Sequence, residues 1–531
     1  MSGPGGGYFV GGSEPSATPA ALSALASAYV LVMGRPVRTR RTWLDSADWR
    51  LYRAGLALTA TACADGEAET LELGCASGAT ITAGPDTVGW PRLLGGLPDE
   101  LQPRLETVLG VRALVPVVQA TGSSVPGSLR DAEGKTVLRL VHHRPATIAG
   151  SRARLPGGLR LVPLRGYGTA AARAGRLVQS AGLVRDDPNG YAVALDAAGI
   201  DPDATAAPVV QPGLPGDVAV ARVLLSFLGE VEAAWDGTVA AVDIEFLHDL
   251  RVAVRRSRSA VKLLGDLLPP DLAAWAAPEL KWLGDLTGPS RDLDIHLQEL
   301  PALTARLTIG RPEDLEPMAL HLARLRATER RRLVRGLRSA RFERWRARWR
   351  TSLAELAARD GELSAVPSAQ EIGRKRIAAA YRRVLRRGSR ITLESPADDL
   401  HDLRKRCKEL RYLLEIFAPL LDPSGVRHAV KELKTVQDVL GTFQDSEAQR
   451  ETIYTVAADM VARGEASGPT LLAMGEIAAR TQESMLSSRS EFVATFERFA
   501  RPSVPWRMAR LSRPDPTPAD EATVAAAGGA R

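Results

Sequence analysis

A basic amphipathic stretch that occurs twice constrains this chain more than any other feature. Residues 246–264 read FLHDLRVAVRRSRSAVKLL, with no Pro or Gly before Gly265. His248, Arg251, Arg255, Arg258 and Lys262 recur every three or four residues, which places them on one face of a helix. Phe246, Leu250, Val254 and Val261 supply an apolar face beside it. Basic groups in one row repel each other, so the pattern demands an anionic counterpart. That counterpart is either the carboxylates of a neighbouring helix or a bound polyanion. The stretch returns in residues 399–417 as DLHDLRKRCKELRYLLEIF. There His401, Arg404, Lys408 and Arg411 repeat the pattern, and Glu415 stands where Lys262 stood. The interval from His248 to His401 also separates LKWLGDLTGPSRDLD, which starts at Leu280, from LKTVQDVLGTFQDSE, which starts at Leu433. Lys281 thereby aligns with Lys434, Asp285 with Asp438, Gly288 with Gly441 and Asp292 with Asp445. Two segments that share one ungapped offset mark an internal duplication of helical units, too long and too few in copies for a solenoid.

Charge must be segregated locally for such a stripe to matter. The chain carries 69 Lys and Arg against 62 Asp and Glu, a net charge of only +7, which excludes a nonspecific polycation. Arg greatly outnumbers Lys, which suits bidentate contact with phosphate or carboxylate. Aromatic residues make up 5%, too few to offer many stacking platforms, so nucleic acid is expected only as a nonspecific polyanion. Cys63, Cys75 and Cys407 form no metal-ligand pattern. Cys63 and Cys75 could meet across a hairpin, but free thiols in a reducing compartment are the expectation. The apolar run 20–33 is too short to span a bilayer and lacks signal-peptide flanks. No membrane association and a cytoplasmic location follow as expectations.

The 531 residues allow about two to four domains. Residues 1–180 read as β-rich, with short apolar runs at 29–33, 55–60, 70–74, 113–119, 136–141 and 159–164 broken by Gly and Pro. Many short strands with little helix predict a closed or nearly closed sheet. Residues 92–109 have room for one or two short helices. Residues 181–216 are rich in Asp, Pro, Ala and Gly and read as a linker, with a short helix near 192–199. Residues 217–503 read as helical, in halves of about 217–351 and 369–500, with Pro269-Pro270, Gly288-Pro289 and Pro396 as breakers. One long helix is expected over 315–351, and its Arg-rich part 324–350 reads as a solvated face paired with acids. Residues 504–531 are expected to be disordered.

The basic helix opened by His-x-x-Arg, its second copy, and the two LKxLxDLxG-like segments together resemble the CHAD family, the histidine α-helical domain, over residues 213–503. The resemblance implies two similar helical bundles facing each other across a basic groove. It also implies binding of inorganic polyphosphate and, in some members, association with polyphosphate granules. The bare residues agree to a point: a polymer with one charge per phosphate and no bases needs only rows of Arg, Lys and His, with counterion release supplying affinity. His248, Arg251, Arg255, Arg258, Lys262, His401, Arg404, Lys408 and Arg411 are the candidate phosphate contacts, with Lys281 and Lys434 behind them. An adjacent polyanion would charge the two histidines; the alternative is a hydrogen bond to an acid such as Asp292 or Asp445. Asp292 and Asp294 read as ion-pair partners of Arg251 or Arg255 rather than as a metal site.

TWLDSADWRLYRAGLALTA, residues 42–60, resembles an element of the CYTH family, and GVRALVPV with the later DAEGK turn and TVLRLV fit its following strands. That family folds as an antiparallel β-barrel tunnel in which Arg and Lys bind triphosphate and acids hold Mg²⁺ or Mn²⁺. The sequence departs from it where the chemistry sits. The Glu-x-Glu-x-Lys strand is missing, its only candidate being residues 7–11, and Thr59 stands where an Arg is expected. Arg50, Arg53, Arg112 and Arg139 remain as weak anion contacts. The pair His142-His143 is discounted as a metal site, because neighbours on a strand point to opposite faces. The expected architecture is thus a degenerate CYTH-like barrel, a non-enzymatic scaffold or regulatory module without cofactor or metal, followed by an all-α CHAD domain that binds inorganic polyphosphate. The alternatives are a triphosphate hydrolase acting through the barrel and a helical adaptor for protein or nucleic acid.

Overall fold

The computed structural model describes residues 7–11, 17–63, 66, 68–75, 80–87, 89–186, 189–204, 209–359 and 366–501. The tail 504–531 lies outside them. The chain divides into two compact units, Met1–Thr205 with Ala241–Glu245, and Ala206–Ala240 with Phe246–Arg531.

The first unit runs β1 (Gly7–Gly11), α1 (Ala17–Ala28), β2 (Val30–Met33), β3 (Val37–Asp45), α2 (Arg50–Arg53), β4 (Leu56–Cys63), β5 (Glu69–Cys75), β6 (Thr80–Asp86), α3 (Gln102–Leu109), β7 (Val115–Arg130), β8 (Thr136–His143), β9 (Ala146–Ile148), β10 (Arg154–Leu155), β11 (Gly158–Pro163), α4 (Gly168–Ser180), β12 (Leu183–Arg185) and α5 (Tyr191–Ala198). The antiparallel sheet follows the order β12-β1-β11-β8-β7-β3-β4-β5-β6. It is not closed, against the expectation of a barrel: β12 and β6 end the path without pairing to each other. The sheet instead curls, and its concave side is bridged by side chains. Arg160 of β11 pairs with Glu72 of β5, five strands away along the sheet order. Asn189, in the turn before α5, donates to Glu72 O at 3.1 Å. It sits so close to β5 that a Cβ on Gly74 would lie 2.8 Å from its Oδ1. Asn189 thus lies against β4 and β5, and the three-residue β12 forms no ladder with β6.

The acids of the 42–60 segment are structural. Asp45 is fully buried, and its carboxylate accepts from the amides of Ser46, Leu51 and Tyr52 and from the Tyr191 hydroxyl. It thereby satisfies amides at the start of α2 that no helical carbonyl can reach. Helix α4 lies in the region read as β-rich; it buries Ala171, Ala174 and Val178 against the sheet through an alanine-rich apolar face. The stretch read as a linker, 181–216, contributes β12 and α5 to this unit.

The second unit is helical: α6 (Gly216–Ala240), α7 (Ile244–Leu264), α8 (Pro270–Thr304), α9 (Glu316–Leu337), α10 (Ala340–Ala357), α11 (Ala369–Gly388), α12 (Ala397–Phe417), α13 (Pro423–Ala462) and α14 (Gly468–Phe499). Gly288-Pro289 breaks nothing, contrary to expectation, and α8 passes through Pro278, Pro289 and Pro301. The long helix expected over 315–351 is two: α9 stops at Leu337, and Ser339 caps α10 by accepting from Phe342 N–H.

The duplication is visible as reciprocal bonds. Gly216 N–H donates to Pro367 O at 3.0 Å, and Ala369 N–H donates to Leu214 O at 2.8 Å. These four residues are pairwise equivalents in the repeat, so a pseudo-twofold axis passes between them. One core joins both halves, with Leu250 and Leu283 of the first meeting Leu403 and Val436 of the second. A separate small core, including Leu300, Leu322, Met460 and Ile477, holds the far ends of α8, α9, α13 and α14 together. Among the described residues no helix is long and apolar enough to cross a membrane.

Candidate functional site

Helices α7 and α12 carry the two basic stripes, and their apolar faces sink Leu250, Val254, Leu403 and Leu410 into the common core. Burial of those faces directs part of each stripe to a shared opening. A cavity of about 450 Å³ is lined by Arg255 and Arg256 from α7 and by Arg404, Lys408 and Arg411 from α12. A second cavity of about 660 Å³ is lined by Arg255, Arg258, Lys262 and, from α8, Lys281. Arg255 belongs to both. The remaining candidates, His248, Arg251, His401 and Lys434, line neither.

Of the two anionic counterparts considered from the sequence, carboxylates are seen at several positions. Carboxylates take some of the stripe. Arg251 Nη2 lies 3.3 Å from Asp292 Oδ1, and Arg404 Nη2 lies 3.3 Å from Asp445 Oδ1. Lys262 Nζ reaches Glu409 at 2.8 Å, Lys281 reaches Asp285 at 2.7 Å, and Arg411 reaches Glu415 at 2.7 Å. His401 hydrogen-bonds to Glu447, not to Asp445. Asp294 pairs with Arg326, and among the described residues no group of three or more His, Cys, Asp or Glu is placed to hold a metal ion.

Arg255, Arg258 and Lys408 are different. Among the described residues, no carboxylate forms an ion pair with them. Lys408 is pushed down to about 8, first by burial and then by the guanidiniums of Arg404 and Arg255. In the same cavity Gln437 keeps both side-chain polar atoms buried without a hydrogen-bond partner. Acids line the same cavity, Asp438, Asp445 and Glu415, and Asp445 partly offsets the lowering of Lys408 without forming an ion pair with it.

Two glycines set the other guanidiniums against α8. A Cβ on Gly284 would lie 2.5 Å from Arg258 Nη1, and one on Gly288 would lie 2.7 Å from Arg251 Nη1. Burial lowers the Arg251 pKa, opposed by Asp292. Sequence reasoning singled out neither Arg256 nor Gln437. Both fall outside the repeated stripe, and only the meeting of the halves brings them in. The Arg-rich helices α9 and α10 are largely engaged within the protein: Arg341 makes a two-pronged contact with Glu279 at 3.0 and 3.1 Å, Arg346 pairs with Glu343, and Arg350 pairs with Glu232.

The first unit holds its own smaller cavity, about 240 Å³, on the concave side of the sheet. None of Arg50, Arg53, Arg112 and Arg139 lines it. Arg50 pairs with Asp48, Arg53 donates to Asp48 O, Arg112 lies 3.5 Å from both Asp48 and Asp243, and Arg139 is exposed. The cavity is lined instead by Arg41, Thr59, Glu72, His143 and Arg160, of which Arg41 and Arg160 went unnoticed in the sequence. Arg41 donates to the Tyr8 hydroxyl at 2.9 Å through Nη1 and has no partner for Nη2. His143 faces inward, with Nδ1 2.8 Å from Ser124 Oγ, and burial lowers its pKa well below the usual value. His142 is absent from the cavity wall. Among the described residues Cys63, Cys75 and Cys407 form no disulfide.

Comparison with known proteins agrees with the helical geometry. Two uncharacterised proteins of Mycobacterium tuberculosis, from strains H37Rv and CDC 1551, are 31% and 30% identical over 242 residues. The match covers 44% of this chain and 44% of each relative, so less than half of those proteins is spanned. Among solved structures, the CHAD domain from the plant Ricinus communis aligns with 55% of this chain and 96% of its own, at 23% identity and a TM-score of 0.46. PptA from Streptomyces chartreusis aligns with 53% of this chain and 99% of its own, at 19% identity and a TM-score of 0.43. The family model for the CHAD domain matches residues 222–454, which contain both basic helices and the cavities between them, and this region of the chain is a CHAD domain.

Proposed function

We propose that the CHAD region binds inorganic polyphosphate and that the cavity shared by α7 and α12 is the place where the polymer is gripped. One observation carries the reading. Arg255 and Lys408 occupy equivalent positions in the repeat and line one cavity from opposite halves, and neither forms an ion pair, although Asp445 on the same wall partly offsets the charge of Lys408. A fold that brings like charges together across its own axis is stabilised by an anion placed between them. The 660 Å³ cavity that shares Arg255 continues the basic surface along α7 and α8, as a chain of phosphates requires. Affinity would come from charge-assisted contacts and counterion release. RNA enters this reading only as a nonspecific competitor, and association with polyphosphate granules would follow from binding the polymer.

The reading assigns no catalysis to the first unit, which we take as a CYTH-like scaffold or regulatory module. A triphosphate incubated with the protein and Mg²⁺ or Mn²⁺ should release no phosphate; metal-dependent release would restore the hydrolase alternative. The binding test is a titration of long-chain polyphosphate at several salt concentrations. The triple variant Arg255→Ala, Arg404→Ala, Lys408→Ala should bind about 100-fold or more weakly, with a shallower salt slope. Arg331→Ala with Arg335→Ala, on the Arg-rich helix, should stay within about twofold of wild type. Equal binding by the triple variant and wild type would remove the cavity from the reading, and no binding at low salt would leave the adaptor alternative in front.

A further inference from the structure

The 450 Å³ basic cavity shares a wall with a second chamber of different chemistry. Arg256, Tyr412 and Glu415 face both. Beyond them lies a space of about 150 Å³ walled by Val210, Val223, Phe227 and Ile416. The single cation at its edge is already engaged. The Arg256 guanidinium lies over the Phe227 ring, 5.5 Å from its centroid, 3.4 Å from Glu230 and 3.6 Å from Glu415.

A phosphate chain cannot run on into this chamber. Its walls are mostly hydrocarbon, and Ser226, Tyr412 and the already paired Arg256 are too few donors for a chain of phosphates. The Glu415 carboxylate stands at the boundary and repels a second anion. What the chamber does accept is a compact neutral group. A cavity of this volume with apolar walls holds a ring the size of benzene. The Phe227 and Tyr412 side chains give such a ring aromatic surfaces to pack against. A ligand that fills both spaces is therefore an anionic chain ending in a neutral ring.

We infer that the CHAD region also takes organic esters of short phosphate chains, of the nucleoside triphosphate class, with the ring in the chamber of Phe227 and Ile416 and the phosphates against Arg404, Lys408 and Arg411. The inference rests on the reading that the basic cavity holds phosphate. It differs in what it requires: polyphosphate alone leaves the apolar chamber unused.

The test compares adenosine 5′-triphosphate with inorganic tripolyphosphate on the full chain, without divalent metal and at one salt concentration. Tripolyphosphate carries at least as much negative charge, so electrostatics alone gives the nucleotide no advantage. The nucleotide should bind roughly tenfold more tightly, the effect of burying one face of a ring. Ser226 lies on the chamber wall away from the basic cavity. Ser226→Trp should fill the space, abolish the nucleotide's advantage and leave tripolyphosphate affinity unchanged. Pro419→Trp, from an exposed position on the same wall, should do the same and guards against a folding defect in the first variant. A nucleotide that binds no more tightly than tripolyphosphate overturns the inference, as does an advantage that survives both tryptophans in folded protein. Failure of tripolyphosphate and long-chain polyphosphate to bind at all would instead strike the reading beneath it.

Discussion

Helices α7 and α12 face each other across the pseudo-twofold axis, and equivalent contacts on its two sides carry opposite polarity. On one side Lys262 of α7 meets Glu409 of α12 at 2.8 Å. On the other, Glu415 of α12 stands at the position of Lys262, Arg256 of α7 stands at the position of Glu409, and the two lie 3.6 Å apart. Both contacts keep one positive and one negative partner while the helices have exchanged them. Arg255 and Lys408, also equivalent, have not done so: both remain positive, and the Arg255 guanidinium helps to hold the Lys408 pKa down. The contrast separates two roles within one stripe. Where a symmetric pair keeps opposite signs, the charges hold the halves together; where it keeps like signs, they do not, and that is the pair to which the proposed function assigns the anion.

The sharpest way to break the comparison is to remove the like-charge contact. The Lys408 pKa falls from 10.5 in an unstructured chain to about 8 in the folded protein, with burial the first cause. Between those two values the unfolded chain binds more protons, so stability rises with pH across that window. Below pH 8 the ammonium is charged in both states, and the folded protein bears the full cost. Lys408→Met should therefore stabilise the free protein at pH 7 by about 1–2 kcal/mol, discounted for solvent screening, with the gain fading as pH approaches 10.5. Urea denaturation at pH 7, 9 and 10 measures it. The same variant should weaken polyphosphate binding by about tenfold, and wild-type affinity should decline as pH passes through 8 while the variant's does not. A variant that is less stable than wild type at pH 7 would show that Lys408 has a partner and that the contact is structural.

The exchanged pair gives a smaller effect. Lys262→Glu sets two carboxylates together and should cost about 1 kcal/mol, limited because the Lys262 side chain is 66% exposed and Glu409 keeps Arg406 at 3.0 Å. Lys262→Glu with Glu409→Lys reproduces the polarity of the other side and should recover most of the loss. A double-mutant cycle with a coupling near zero would remove position 262 from the interface.

Much of this was legible from spacing. A three- and four-residue rhythm of bases on an otherwise apolar helix, repeated at a constant offset with a second matching segment, led to α7, α12, the duplication and most of the cavity wall. What spacing cannot encode is which chain segments meet. Glu415 in place of Lys262 looked like lost charge, because the compensating Arg256 and Glu409 lie outside the stripe. His248 and His401 open the motif in sequence yet line neither cavity, since the first turn of each helix lies away from the shared opening. In the first unit the strand runs at 70–74, 136–141 and 159–164 correspond to β5, β8 and β11. Closure of the sheet depends on its two edges meeting, and strand periodicity carries no record of edges. Arg41 and Arg160 escaped notice for the same reason: each is one base on its own strand until the sheet curls and sets it against the others.

Gly288 and Gly441 are equivalent, and the smallest predicted effect distinguishes them. In both halves the glycine lies within a continuous helix, where alanine is intrinsically better by about 0.5–1 kcal/mol. At Gly441 the nearest side-chain atom to a new Cβ is Arg404 Nη2, 4.0 Å away, an ordinary contact. Gly441→Ala should therefore realise the gain. At Gly288 the new Cβ would lie 2.7 Å from Arg251 Nη1. The guanidinium can swing away, but it then leaves Asp292. Gly288→Ala should thus show no gain or a small loss in urea denaturation, despite being the same substitution at the same place in the repeat. Equal stabilisation by both would mean that Arg251 is not held against α8 at all, and that the first half needs its glycine no more than the second does.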